Sequence, residues 1–469
     1  MKRMTCVLSM AIFCIFSTSA FAQNIDERLN ALEYVLKSQA QTIQEQQKTI
    51  DTLKEEISKQ NSKEPPEKQK PQEANDDLHQ KVEELNDKVE QVVEAQKKEI
   101  PSVFNPSIGL VGETLFSYRS KGKNDTGSDR PGGWDVFQRS VELNAAASVD
   151  PFAKAYVVAN ASADAATGES TLGIEEAALQ TTSLPWNLEV KAGRFFGEFG
   201  RLGYIHDHEL PFVNRPLALA QYIGGESRTD GVQLNWLLPV EHYVSLTMGT
   251  GIQFGGDNPP NDVGNFRNPT GLNYWGRLSS YFDLTPDISL EPGVSGLWNP
   301  HTKAQWDPAV AQLPTDINNN TFTERERRLV GVDWVLSYKP LRDNQFNSLT
   351  WGTEVLYSDN SYDIADTSGN MLPGRSVGSL GLYSYLTYKF HRQWSAGFLY
   401  EWMENEVNKQ DKTSAYSPYI TWALSHWNQL RLQYTHTDHN AASGLRPDDA
   451  VYVQWAWIIG SHSHGWQQR

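Results

Sequence analysis

One segment near the C-terminus constrains the fold more than any other: Val451, Val453, Trp455, Trp457 and Ile459 alternate with Tyr452, Gln454 and Ala456. Period-2 alternation means a strand with one greasy face, and that face must be covered. No long helix with an apolar stripe follows the N-terminal third to cover it. Lipid is the remaining partner, because a closed barrel of strands of about ten residues satisfies every backbone hydrogen bond inside a bilayer.

The N-terminus agrees with that destination. Lys2 and Arg3 precede an apolar run, Val7 to Phe16, and Ala20-Phe21-Ala22 offers small residues for cleavage, so residues 1–22 are expected to be a secretory signal peptide. The run is too short for a membrane anchor of about 20 residues. Both cysteines, Cys6 and Cys14, fall in this segment, which leaves the mature chain without thiol chemistry. A mean hydropathy of -0.54 together with 15 Trp, 19 Tyr and 18 Phe fits a barrel, where only alternate residues meet lipid and aromatics gather at the interfaces. The formal charge of -16 argues against nucleic acid as a partner.

Residues 23–100 carry a different period. Ile25, Leu29, Leu32, Leu36, Ile43, Ile50, Leu53 and Ile57 recur at heptad spacing, and Leu78, Val82, Leu85, Val89 and Val92 form a second seam. A linker at 62–75 with Pro65, Pro66 and Pro71 separates them. An α-helical, self-associating coiled coil on the periplasmic side is expected; its core residues match neither the dimer nor the trimer preference.

From residue 101 to 469 the period is 2. Short turns fall near Asp150-Pro151, Ser183 to Pro185, Pro239-Val240, Thr285 to Asp287, Leu341 to Asp343, His391-Arg392 and Ser425-His426. Longer loops fall near 119–133, 165–171, 197–229, 255–270, 300–326, 359–375, 404–412 and 438–448. Seven turns and eight loops connect sixteen strands, so the fold class is an all-β transmembrane barrel of sixteen antiparallel strands, with termini and short turns on the periplasmic side. Sixteen strands are wide enough for an aqueous channel. Alternation sends Lys191, Asp333, Glu354, Glu401 and Arg431 to the lumen, where they serve either as braces of the wall or in selectivity.

The segment Glu198 to Asp230 is long for a loop and too apolar to stand in water, with Phe199, Leu210, Phe212, Leu219 and Tyr222 among its residues. It is expected to fold into the barrel and narrow it, leaving Arg201, His206, Asp207, His208, Glu209, Arg215, Glu226 and Arg228 as candidates for the constriction. Their mixed charge speaks against strict anion selectivity. His206 and His208 also invite a metal reading, with His436, Asp438 and His439 or His462 and His464 as possible further ligands, but spacing alone does not make a site. Hydrogen-bonding wall histidines are the expectation, with no metal, no cofactor and no catalysis.

The runs Ile174-Glu175-Glu176-Ala177-Ala178, Ser183-Leu184-Pro185, Lys191 to Phe196 and Glu198-Phe199-Gly200-Arg201 resemble proteobacterial porins related to the phosphate-selective and polyphosphate porins. The resemblance implies a periplasmic coil before a sixteen-stranded trimeric barrel, and hence a passive outer-membrane channel for small hydrophilic solutes. A homotrimer, outer-membrane lipid and the barrel assembly machinery are the partners implied. Two departures stand out. No cluster of basic residues suits a phosphate channel, and the chain ends Gly465-Trp466-Gln467-Gln468-Arg469 rather than on an aromatic residue. A rim hydrolase using His206-Asp207-His208 or Asp438-His439 and an envelope tether built on the coil are the rival readings. A plugged transporter of about 22 strands does not fit the length.

Overall fold

Alternating sequences with polar turns between them can satisfy their backbones only by pairing with neighbours, and in the computed structural model they do so all the way round. The structure describes residues 106–122, 132–163, 168–255, 269–300, 305–306, 320–340, 347–440 and 444–460. The chain divides into two units, Met1–Gln91 and Val92–Arg469, and every described residue belongs to the second. The expected signal peptide and coiled coil, His462, His464 and the terminal Trp466 lie outside the described residues.

The strands are β1 (Ser107–Arg119), β2 (Gly133–Asp150), β3 (Ala153–Ala163), β4 (Ser170–Thr181), β5 (Leu188–Phe196), β6 (Arg228–Leu237), β7 (Tyr243–Gly251), β8 (Asn273–Thr285) and β9 (Ile288–Asn299). After them come β10 (Gln305–Trp306), β11 (Thr321–Tyr338), β12 (Ser348–Ala365), β13 (Met371–Lys389), β14 (Trp394–Glu404), β15 (Lys412–Ser425), β16 (Asn428–His439) and β17 (Asp448–Gly460). β10 only extends a long loop, pairing with Phe322 and Thr323; the other sixteen strands form the wall, with β9 paired to β11. Every pairing is antiparallel, and β1 closes on β17 with Glu113 opposite Ala456. Arg119 fastens this seam by donating twice to Asp448 Oδ2, at 2.9 and 2.7 Å.

The expected short turns and long loops alternate between these strands, the turn at Leu341 to Asp343 lying outside the described residues. Two loops change in extent: β11 already begins at Thr321, within the expected loop 300–326, and the next loop differs more. The segment 359–375, expected to be a loop, is mostly hairpin: β12 runs on to Ala365 and β13 begins at Met371. Phe322, Tyr362, Ile364, Val377 and Val407 pack into a small core there, which lets the polar hairpin stand beyond the apolar belt.

The outward face suits hydrocarbon. Leu278, Val294, Val330, Trp351, Leu386, Phe398, Leu432 and Trp455 are all exposed, far more contiguous apolar surface than a water-facing protein tolerates. Aromatics stand toward both ends of this belt, with Phe152, Tyr243, Tyr388 and Trp427 near the short turns and Tyr118, Trp134, Trp298 and Tyr434 near the long loops. The inward face is polar, and it is buried. Glu113, Gln180, Gln233, Glu354 and Gln454 have no exposure at all, because something fills the lumen.

Candidate functional site

What fills the lumen is the connection from β5 to β6, residues 197–227. Its two ends are held together: Gly197 N donates to Ser227 O at 2.9 Å and Ser227 Oγ to Gly197 O at 2.6 Å. Between them the chain crosses the barrel, as its apolar content requires. Phe199, Leu210, Phe212, Val213, Leu219, Tyr222 and Ile223 are buried to within 1 %. All but Val213 join one apolar cluster with Tyr156 and Val158 on one side of the wall and Leu356, Tyr383, Tyr385, Leu399 and Tyr419 on the other, while Val213 packs with Leu115, Ala450 and Tyr452. Phe212 packs edge-on against Tyr385, with ring centroids 5.6 Å apart, and against Tyr419 at 6.2 Å.

The loop's backbone polar groups find wall side chains. Gly200 N donates to Ser295 Oγ at 2.9 Å, Arg201 N to Glu354 Oε2 at 3.2 Å, Val213 N to Gln433 Oε1 at 2.8 Å and Leu217 N to Glu401 Oε1 at 2.7 Å. Gly200 has φ +63, and a Cβ there would overlap the Glu354 carboxylate, so only glycine fits. A single-turn helix, α1 (Leu217–Tyr222), lies against β13 and β14 near the long-loop end, where Tyr222 donates to Glu404 O at 2.6 Å. Gly381 makes room for it, since a Cβ there would come within 2.7 Å of Ala218 Cβ. The loop's other reach is toward the short turns. His208 to Pro211 line a cleft of about 260 Å³ with Ser425, His426, Trp427 and Asn428.

Each expected lumen residue points inward, and each is buried. Asp333 pairs with Arg277 at 2.6 Å, Glu354 accepts from Tyr383 at 2.5 Å, and Glu401 holds the start of α1. Arg431 donates to Thr421 Oγ1 and Gln454 Oε1 at 3.0 and 2.8 Å, and the Lys191 ammonium sits 5.4 Å from the Phe195 ring centroid. These contacts brace the wall and seat the loop.

The loop candidates divide. Arg215 donates to Leu202 O and Ile205 O, both at 2.6 Å, and pairs with Asp207 at 2.8 Å and Glu226 at 3.5 Å. With 7 % exposure it is a clip that shapes the loop. Arg201 is 28 % exposed and bonds Glu291, itself 31 % exposed, at 2.7 Å. Asp207, Glu226 and Glu209 also keep access to solvent. Arg228 opens wall strand β6 opposite Phe196, whose buried ring packs on His206, and is itself half-buried with its Nε shielded from solvent.

His206 and His208 are buried together, rings 5.6 Å apart, against the wall of β2 and β4. His206 Nε2 lies 3.0 Å from Glu176 Oε1, and its Nδ1 lies 3.4 Å from Glu142 Oε2 and 3.8 Å from Glu175 Oε2. His208 Nδ1 is 3.2 Å from Glu142 Oε1. Burial disfavours the charged ring of His206, yet Glu142, Glu176 and Glu175 outweigh it and hold the pKa well above the ordinary imidazole range. His208 is raised against the same burial by Glu142.

Sequence reasoning did not find these glutamates, because two of the strands depart from simple alternation. The β3–β4 register skips Glu175, so the bulge turns Glu175 and Glu176 inward together. The β1–β2 register likewise skips Arg139, whose guanidinium meets Glu113 at 2.5 Å and Val213 O at 2.7 Å. His436 and His439 stay apart from this cluster, paired with Asp449 at 2.8 Å and Thr413 Oγ1 at 3.1 Å.

No family model matches the chain. A protein of Aquifex aeolicus (strain VF5), itself described as uncharacterized, is 27% identical over 343 residues, covering 69% of this chain and 68% of that one. Among solved structures, the outer membrane channel DcaP of Acinetobacter baumannii aligns with a TM-score of 0.50 and 12% identity, over 76% of this chain and 97% of that chain. OprB of Pseudomonas putida aligns with a TM-score of 0.48 and 11% identity, over 76% and 94%, a likeness too loose to carry weight. At this identity the DcaP match shows the fold alone: the chain is a closed sixteen-stranded barrel of the kind found in an outer-membrane channel.

Proposed function

We propose that this protein is a passive outer-membrane channel for small hydrophilic solutes, narrowed by the loop 197–227. The observation that carries the reading is a closed sixteen-stranded barrel, apolar outside and polar inside, whose long loop turns inward and fills much of the section. The apolar belt supports a location in the outer membrane of a Gram-negative bacterium, and the same reading puts the short turns and the expected coil in the periplasm. Assembly as a homotrimer, delivered by the barrel assembly machinery, belongs to the same proposal.

The path beside the loop would be lined by groups of both signs, namely Arg201, Glu291, Asp207, Glu209 and Glu226. Such a lining, one Arg against four carboxylates, orients dipolar solutes and disfavours strict anion passage. The relation to phosphate-selective porins therefore stays at the level of architecture. A hydrolase receives less support, because the contacts of His206 and His208 described above are carboxylates, and a general base needs a nucleophile to activate.

The test is planar-bilayer recording of the purified protein under a salt gradient, with block titrations by phosphate, sugars and dicarboxylates. The reading expects small discrete current steps, a reversal potential at zero or on the cation-preferring side, and weak block by phosphate. Strong anion selectivity with tight phosphate block would replace it with the phosphate-channel reading.

A further inference from the structure

We propose that Glu142, His206 and His208 bind a divalent transition-metal ion, zinc being the best fit, with Glu175 beside them as a fourth ligand. The site would join the inserted loop to strands β2 and β4 of the wall. It stands whether or not the barrel conducts.

The donor set and its spacing fit. One donor atom from each of Glu142, His206 and His208 lies within 4.8 Å of the others, and all three residues are buried. Zinc–nitrogen and zinc–oxygen bonds of about 2.0–2.1 Å imply tetrahedral edges of about 3.3 Å. Glu142 reaches both rings, its Oε2 3.4 Å from His206 Nδ1 and its Oε1 3.2 Å from His208 Nδ1, and Glu175 Oε2 stands 3.8 Å from His206 Nδ1, separations close to such an edge. Imidazole and carboxylate together suit zinc or a neighbouring first-row ion rather than calcium or magnesium, which take oxygen ligands.

The surroundings give an independent argument. A metal-ligating histidine usually gives its other ring N–H to a carboxylate, which fixes the tautomer. His206 Nε2 lies 3.0 Å from Glu176 Oε1. Glu176 is fixed in turn, accepting from Tyr156 Oη at 3.0 Å and from Phe196 N at 3.3 Å. The nearby cations are engaged with other acids, Arg139 with Glu113 and Arg215 with Asp207 and Glu226. With the two imidazoles neutral, as ligation requires, the three buried glutamates would carry an excess of negative charge that a divalent ion neutralises. The β-bulge at Glu175 is a local departure that brings one more carboxylate to this point.

The experiment uses the full-length protein folded in detergent, stripped with a chelator and titrated with zinc chloride by calorimetry. One zinc per chain is expected. His208→Ala and Glu142→Gln should each weaken binding at least tenfold, Glu176→Gln by about 10–100-fold as an outer partner, and His242→Ala, in an exposed short turn, should leave it unchanged. Cobalt(II) supplies a second readout on the unaltered protein: intense visible bands of a four-coordinate ion are expected. Absence of saturable zinc binding, variants that bind as tightly as the parent, or only the weak bands of six-coordinate cobalt would each overturn the proposal. If a ligand variant fails to fold, as judged by heat-modifiable gel mobility, the cobalt spectrum decides alone.

Discussion

At the scale of single residues, the inserted loop depends on a few groups with no substitute. Arg215 ties four points of the loop through one planar guanidinium. A lysine at the same position is a single point charge and cannot reproduce the fork. Arg215→Ala is expected to loosen the loop by roughly 2–3 kcal/mol, since buried charged hydrogen bonds are each worth about 1.5–3 kcal/mol. Arg215→Lys should recover only part. Hydrogen exchange of the 201–226 amides measures both, and unchanged protection in Arg215→Ala would show that the clip is dispensable. Phe212→Ala removes a fully buried ring from between Tyr385 and Tyr419 and should cost about 3 kcal/mol of the same seating. Limited proteolysis should then cut within the loop, where the parent resists.

At the scale of elements, the wall was legible because lipid on one side and water on the other enforce strict alternation. Glu354 and Glu401 could be placed inward, and Trp351 and Phe398 outward, by counting alone. The turns were legible because Asp150-Pro151 and Thr285-Pro286-Asp287 cannot continue a ladder. Alternation fails where a bulge adds a residue, so Arg139, Glu175 and Glu176 were out of reach of counting. It fails again beyond the bilayer. The hairpin around Asp366 to Asn370 is wet on both faces, and its pairing rests on Tyr362, Ile364 and the core around Phe322. The inward fold of the loop was readable from its apolar residues, but its partners were not, because its contacts come from strands as distant as β2, β12 and β16. Residues 197–227 act as one element clamped at Gly197 and Ser227. Bridging Gly203 to Gly225 with a short Gly-Ser linker should therefore preserve the closed wall while removing the filling. The excised protein is expected to keep its heat-modifiable gel shift and to melt at a lower temperature.

At the scale of the whole molecule, the barrel combines a width sufficient for an aqueous passage with a lumen whose wall residues are mostly buried. That combination predicts a channel of low conductance. Deleting residues 23–100, the expected coil, should leave the conductance of each pore unchanged, and a change in oligomeric state by light scattering would assign the coil to assembly. The most direct test of the central claim compares single-channel conductance of the parent with that of the loop-excised protein. Discrete small steps in the parent that grow several-fold on excision are the expected result; folded protein that gives no steps in either form would contradict the claim that this barrel is a passage narrowed by its own loop.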